Sequence, residues 1–427
     1  MVGNKPVHLH GPTYRSFAHF TKGARHEKQQ LDCQDYAYDY DNYADEKLAV
    51  AIVADGHGSS RFFRSGTGSR LVVECAMSGI KEFVTDKTFP AENNSNAEIH
   101  DKLRRLASSI IGSWKEAVET DEKDHPIKDD AKTLTLEDKY KNRYLNNPEP
   151  KYIHQAYGTT LIAVAMTENY WFGFHIGDGK CEVLFDNGEW AQPIPWDQKC
   201  FLNATTSICD DNALLDFRYW FGYRNSNGDV FEFNYGPDSD GIDSTKKTGA
   251  VPAAIFIGSD GVDDTYPVYE NEKHMKYLYR LIVLNIAKDG FESTKNQISD
   301  LVKKLAESGS QDDVSMAGIV GELPSKLIEY LRVQDESDRA EENAIAERKK
   351  AEAEKHALQA EQARAEKQQA ELRKKAQSAE QNLEQKPSPL SSLQEEQIEA
   401  PKHTEGEAVK HTEFMPSSLD SVHVGKY

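Results

Sequence analysis

Asp55, Asp178 and Asp260 share a setting. Each closes an apolar run and is followed at once by glycine: Ala51-Ile52-Val53-Ala54-Asp55-Gly56-His57-Gly58, Trp171-Phe172-Gly173-Phe174-His175-Ile176-Gly177-Asp178-Gly179 and Ala253-Ala254-Ile255-Phe256-Ile257-Gly258-Ser259-Asp260-Gly261. Asp35, Asp264 and Asp312 also lie at the end of, or just past, an apolar strand-like run. Taken singly, each would be a turn residue or a helix cap, and His57 a structural histidine. The recurrence as a set is what distinguishes them. Carboxylates gathered at strand ends repel one another in a partly dry site unless cations neutralise them. Oxygen ligands without cysteine point to Mg²⁺ or Mn²⁺ rather than zinc. Two such ions about 4 Å apart would hold a bridging water, lower its pKa and stabilise an in-line displacement at phosphorus. His57, two residues from Asp55, is placed to protonate a departing alkoxide.

The elements that must present these residues are legible in outline. Thr13 to Thr21, Cys33 to Tyr40 and Lys47 to Ala54 read as strands, with turns at 22–26 and 41–46. Arg61 to Val84 has helical spacing, with Ser59 or Ser60 as its N-cap. A second helix is expected from Asn96 to Val118. Residues 119–152 are charged and read as an insertion or surface loop. Gly158 to Met166, Tyr170 to Ile176 and Cys181 to Phe185 form a meander. Residues 190–250 read as irregular, a lobe or flap beside the site. Val251 to Ile257 is a strand, Glu272 to Ala287 and Ser293 to Leu305 are helices, and Asp313 to Val320 is the last strand.

Beyond Pro324 the composition changes. Ser337 to Glu384 is almost all Ala, Glu, Lys, Arg and Gln without Gly or Pro, which favours one long exposed helix. Ala344, Ala351, Leu358, Ala365, Leu372 and Ala379 fall at seven-residue spacing, but their companion positions are mostly charged or Gln. That makes a thin seam, which leaves a solvated single helix and a coiled coil through 337–384, self-associating or pairing with a partner, both open. The division expected is a globular domain over 1–323, a helical extension over 324–385, and a polar, disordered tail over 386–427. The net charge of −20 disfavours nucleic acid and anionic membranes as partners. Five widely spaced cysteines without a CxxC pair indicate reduced thiols. With no signal-peptide core at the N-terminus and no long apolar run, the expected location is cytoplasmic.

Ala54-Asp55-Gly56-His57-Gly58, Gly158-Thr159-Thr160, Gly177-Asp178-Gly179-Lys180, Ser259-Asp260-Gly261-Val262-Asp263-Asp264 and Gln311-Asp312-Asp313-Val314-Ser315 resemble, in order and spacing, the motifs of the metal-dependent protein serine/threonine phosphatases of type 2C. The resemblance runs from about Thr13 to Gly321 and implies an α+β, four-layer αββα sandwich: two antiparallel sheets flanked by helices. It implies hydrolysis of phosphoserine and phosphothreonine in phosphoproteins with two Mn²⁺ or Mg²⁺ ions per site. By position, Asp55 resembles the carboxylate that bridges both metals and Gly56 the residue lending one of them a backbone carbonyl. Asp260 and Asp312 resemble the remaining core ligands, Asp178 and Asp264 the pair holding a further, loosely bound metal, and His57 the general acid. Gln34-Asp35 stands where the family usually has Glu-Asp, so Gln34 is a weak ligand beside Asp35. His26 stands where a phosphate-binding Arg is common, with Arg25 beside it. Either Arg25 substitutes, or phosphate affinity rises as His26 protonates. Bacterial branches resemble this His and Gln-Asp arrangement. An active phosphatase is the leading reading because Asp55, Asp260 and Asp312 are all intact. A phosphatase-like scaffold or regulator without turnover, or an assembly protein working through its helix, are the alternatives.

Overall fold

In the computed structural model the described residues are 13–90, 94–146, 149–201, 204–237 and 246–383. Among these residues twelve strands build two sheets: β1 (Arg15–Thr21), β2 (Tyr36–Asn42), β3 (Leu48–Ala54), β4 (Leu161–Thr167), β5 (Tyr170–Ile176), β6 (Lys180–Phe185), β7 (Trp190–Ala191), β8 (Arg218–Arg224), β9 (Val230–Tyr235), β10 (Lys246–Lys247), β11 (Pro252–Gly258) and β12 (Val314–Val320). One sheet has the order β1-β12-β11-β6-β7 and the other β10-β9-β8-β5-β4-β3-β2, with antiparallel neighbours throughout.

The near-continuous apolar runs follow from burial on both faces. In β3, Leu48, Val50, Ile52 and Ala54 face a helical layer, while Ala49, Ala51 and Val53 face the other sheet. The period-2 alternation is present, but neither face is polar. Helices α1 (Ser65–Phe83) and α2 (Asn96–Asp124) cover the seven-stranded sheet through Val72, Ala76, Ile80, Leu103, Ile110 and Trp114. Helices α3 (Asn271–Asp289) and α4 (Phe291–Ser308) cover the five-stranded sheet, where Phe256 of β11 stacks on Tyr279 of α3 at 4.4 Å. The result is the four-layer α+β sandwich with helices outside two antiparallel sheets.

Three expectations are corrected. Neither Ser59 nor Ser60 caps α1: Ser60–Phe62 forms a 3₁₀ turn, Ser59 makes no side-chain capping bond, and α1 starts at Ser65. The segment 119–152 is not a loose insertion. Helix α2 runs on to Asp124, and Ile127, Leu136 and Tyr144 are buried. Its charged residues serve the buried Arg64, whose Nε donates to Asp130 at 2.9 Å and whose Nη1 donates to the His125 carbonyl and Tyr157 hydroxyl, each at 2.6 Å. Nor is 190–250 irregular throughout. Phe217, Tyr219 and Phe221 pack under α2 and Trp220 packs between the sheets, so β8 and β9 are core strands. Helix α2 itself begins as its sequence suggests: Ser95 and Glu98 form a reciprocal capping box.

Among the described residues, those through Asp335 form one compact unit and 336–383 a second. Helix α5 (Ser325–Leu383) enters the first with its opening turns, where Leu327 and Leu331 are buried and Asp335 lies 4.0 Å from Arg280 of α3. In the second unit Ile345, Leu358 and Leu372 are exposed. The expected tail at 386–427 and the N-terminal stretch lie outside the described residues. Among the described residues no helix is long and apolar enough to cross a membrane.

Candidate metal centre

Antiparallel pairing decides which strand ends meet. The C-terminal ends of β3 and β5 lie beside the start of β4, and the start of β2 lies beside the end of β3. In the other sheet the end of β11 lies beside the starts of β12 and β6. Asp55, Asp178 and Asp260 therefore come to one edge. One carboxylate oxygen of each lies within 4.8 Å of the others. Asp35 joins them from the start of β2 and accepts a hydrogen bond from Ser315 Oγ at 2.6 Å.

The electrostatics match the geometry. Burial, then the charges of Asp35, Asp260 and Asp178, push the Asp55 carboxyl well above its ordinary value. Burial and the charges of Asp178 and Asp264 do the same to Asp260. Asp35 is pushed up to about 7, by burial above all, against the opposing Ser315 hydrogen bond. Burial also raises Asp178 and Asp264. Without positive charge this edge takes up protons; a divalent cation is the alternative neutraliser, and hard oxygen donors suit Mg²⁺ or Mn²⁺.

Asp312 does not join that trio. Its carboxylate pairs with Arg25 and its Oδ1 lies 3.8 Å from His26 Nε2, in a second group made of His26, Asp312 and Asp313. Its charge nonetheless acts on Asp264. Arg25 is half-exposed, whereas His26 is buried with Nδ1 2.9 Å from Asp313 Oδ2. That contact, against the cost of burial, holds the His26 pKa above its ordinary value. Gln34 works through its backbone: its carbonyl accepts from Gly56 N at 3.1 Å and Ser69 Oγ at 2.6 Å. Gly56 has no room for a side chain, as a Cβ would stand 2.6 Å from the Gln34 carbonyl and 2.8 Å from that of Ser65. His57 packs on Phe62 at 4.6 Å and donates its backbone N–H to the Gly158 carbonyl at 3.2 Å. Burial, and then Arg61, push its imidazole down to about 4, so the ring is neutral at pH 7.

The family model described as Protein phosphatase 2C matches residues 22–307, more than half of the chain. The chain belongs to that family. Comparison with curated proteins gives no match. Among solved structures, an S. agalactiae serine/threonine phosphatase is similar at 15% identity, over 72% of this chain and 100% of that one, with a TM-score of 0.38. The Mycobacterium tuberculosis serine/threonine phosphatase PstP/Ppp is similar at 14% identity, over 72% and 98%, with a TM-score of 0.36. A PstP catalytic domain in complex with two manganese ions is similar at 14% identity, over 73% and 99%, with a TM-score of 0.36.

This phosphatase 2C family member also holds its acidic edge with residues that sequence reasoning passed over. Thr159 and Thr160 fix the Asp55 backbone: Thr159 Oγ1 donates to the Asp55 carbonyl at 2.8 Å, and Asp55 N donates to Thr160 Oγ1 at 3.0 Å. The segment after β7 clamps the Asp178 turn. Thr206 Oγ1 accepts from Gly177 N at 3.1 Å, and Cys200 Sγ lies 3.2 Å from the Gly177 carbonyl and 3.4 Å from Thr205 Oγ1. Thr206 is itself held by Asp197, at 2.7 Å, which is ion-paired to the buried Arg218. Lys180 Nζ pairs with Asp263 on the turn that carries Asp260 and Asp264. The Gly158-Thr159-Thr160 motif was a visible signal for the first of these; nothing in the aperiodic stretch 192–216 marked Thr205 or Thr206.

Proposed function

We propose that the chain is a metal-dependent protein serine/threonine phosphatase that hydrolyses phosphoserine and phosphothreonine in phosphoproteins. The observation that carries this reading is the convergence of Asp55, Asp178 and Asp260 oxygens within 4.8 Å, flanked by Asp35, in a chain of the phosphatase 2C family. Asp55, Asp35, Asp260 and Asp312, with the Gly56 carbonyl, are the proposed ligands of two Mn²⁺ or Mg²⁺ ions, and Asp178 and Asp264 of a third, looser one. Bound there, the cations supply a water of lowered pKa and positive charge against the charge that develops at phosphorus. Arg25, half-exposed, is the cation available to a phosphate dianion once Asp312 turns to metal. His57 is proposed for proton transfer at the leaving oxygen, a role in which the phosphate of a bound substrate must draw a proton onto the ring that is neutral at pH 7 without it.

The catalytic domain is assigned to 1–323 and the helical extension to 324–385, the latter as the site of self-association or partner binding. Five free cysteines fit a reducing, cytoplasmic setting. The test is hydrolysis of p-nitrophenyl phosphate and of a phosphothreonine peptide. Turnover should depend on Mn²⁺ and be abolished by chelation and by Asp260→Asn. Metal binding without turnover at any Mn²⁺ concentration would instead make the protein a phosphatase-like scaffold.

A further inference from the structure

The Asp312-Asp313 doublet at the head of β12 divides its work. Asp312 pairs with the half-exposed Arg25. Asp313, beside it around His26, is almost wholly enclosed, with 4% of its surface exposed. Two backbone donors from one segment converge on its carboxylate, Gly23 N on Oδ1 at 2.8 Å and Gln34 N on Oδ2 at 2.6 Å, and His26 Nδ1 stands 2.9 Å from Oδ2 as an ion-pair contact. A buried carboxylate with that many partners is a fixed anchor. The approach is close on the backbone side too, since a Cβ at Gly23 would overlap the Asp312 carbonyl.

What the anchor holds leads straight to the metal centre. Gln34, pinned by its N–H, presents the carbonyl that receives Gly56 N at 3.1 Å. The next residue is Asp35, seated on Ser315 Oγ, two residues beyond Asp313. Both nitrogens of His26 face the doublet, at 2.9 Å from Asp313 and 3.8 Å from Asp312, and the residue is 5% exposed. Enclosure and the short contact to Asp313 turn Nδ1 away from any substrate, while Nε2 looks toward Asp312.

We propose that Asp313 is a positioning residue that sets Asp35 and Gly56 for metal through the Gly23–Asp35 loop, and that His26 acts through Asp313 as a strut rather than as a phosphate ligand. The inference rests on the metal-dependent reading above. Outer partners of metal ligands typically govern affinity by about 10–100-fold.

The test compares wild type with Asp313→Asn, His26→Ala and His26→Asn, whose amide can take the place of Nδ1 beside Asp313. Three quantities are read: Mn²⁺ affinity by calorimetry, the unfolding temperature without metal, and KM for p-nitrophenyl phosphate at saturating Mn²⁺. The expected result is Mn²⁺ binding weakened about 10–100-fold in Asp313→Asn and His26→Ala, restored to within a few-fold in His26→Asn, with KM at saturating metal within a few-fold of wild type. If Asp313→Asn does not fold, the His26→Ala and His26→Asn pair decides. A His26→Ala protein with wild-type Mn²⁺ affinity and a KM raised tenfold or more would make His26 a phosphate ligand and overturn the inference. So would equal Mn²⁺ affinity in every variant while wild type binds the metal. A wild type that binds no Mn²⁺ overturns the metal-dependent reading and this inference with it.

Discussion

Asp55 is held at both its side chain and its backbone. Its carboxylate meets Asp178 and Asp260, and its backbone is held by Thr159, Thr160 and, one residue on, by the tight seat of Gly56. Gly56→Ala should therefore displace either the Gln34 carbonyl or the strand end, and turnover should fall by about 100-fold or more, as a misplacement near 1 Å at a reacting centre does. The Mn²⁺-saturated rate checks this, and a rate within a few-fold of wild type would show that the seat relaxes. Thr160→Val keeps the shape and removes the acceptor of the Asp55 N–H; about 1–3 kcal/mol of stability should be lost, as measured by denaturant unfolding. The strand-end Asp residues were legible because apolar runs ending in Asp-Gly recur. The roles of Thr205, Thr206 and Asp313 were not, because they depend on contacts between segments far apart in sequence, such as Asp313 with Gly23 and Gln34.

At the scale of elements, Glu182 in β6 gives a pH signature. It is buried against α3, accepts from Gln192 at 2.9 Å, and lies 3.9 Å from Lys276. Burial pushes its carboxyl up to about 7, only partly opposed by Gln192 and Lys276. A folded-state value above the unfolded one means the native protein keeps a proton that the unfolded chain releases between pH 4.5 and 7. The Glu182 contribution is thus greatest below pH 4.5 and is lost as pH rises to 7, by on the order of 3 kcal/mol. Glu182→Gln should remove that slope from the pH dependence of unfolding; an unchanged slope would assign it elsewhere. The strands β1–β6, β11 and β12 were readable from apolar runs and turn residues. Strands β8 and β9 were not, since Phe217 to Tyr223 is aromatic on both faces, with Phe217, Tyr219 and Phe221 under α2 and Trp220 between the sheets, and the alternation that marks a half-exposed strand is absent. The charges of 119–152 misled in the opposite direction: Asp130 serves Arg64 rather than solvent.

For the whole molecule, the start of α5 belongs with the sandwich even though composition changes near Pro324. Leu327 and Leu331 are buried there, and Tyr330 packs over the turn at Gly188. A chain ending at residue 323 should be less stable than one ending at 335, and Leu331→Ala should cost about 2–5 kcal/mol. Equal unfolding temperatures for the two truncations would show that these turns merely rest on the surface. The long helix was legible because its composition admits little else, but a helix with Leu358 and Leu372 exposed does not by itself specify a partner.

The most direct measurement is Mn²⁺-dependent turnover of a phosphothreonine peptide by the full chain and by Asp260→Asn, with metal binding followed in parallel. The account predicts turnover that appears with Mn²⁺, disappears on chelation and is absent in Asp260→Asn. A wild-type chain that binds Mn²⁺ yet leaves the peptide phosphorylated, or an Asp260→Asn chain as active as wild type, would contradict it.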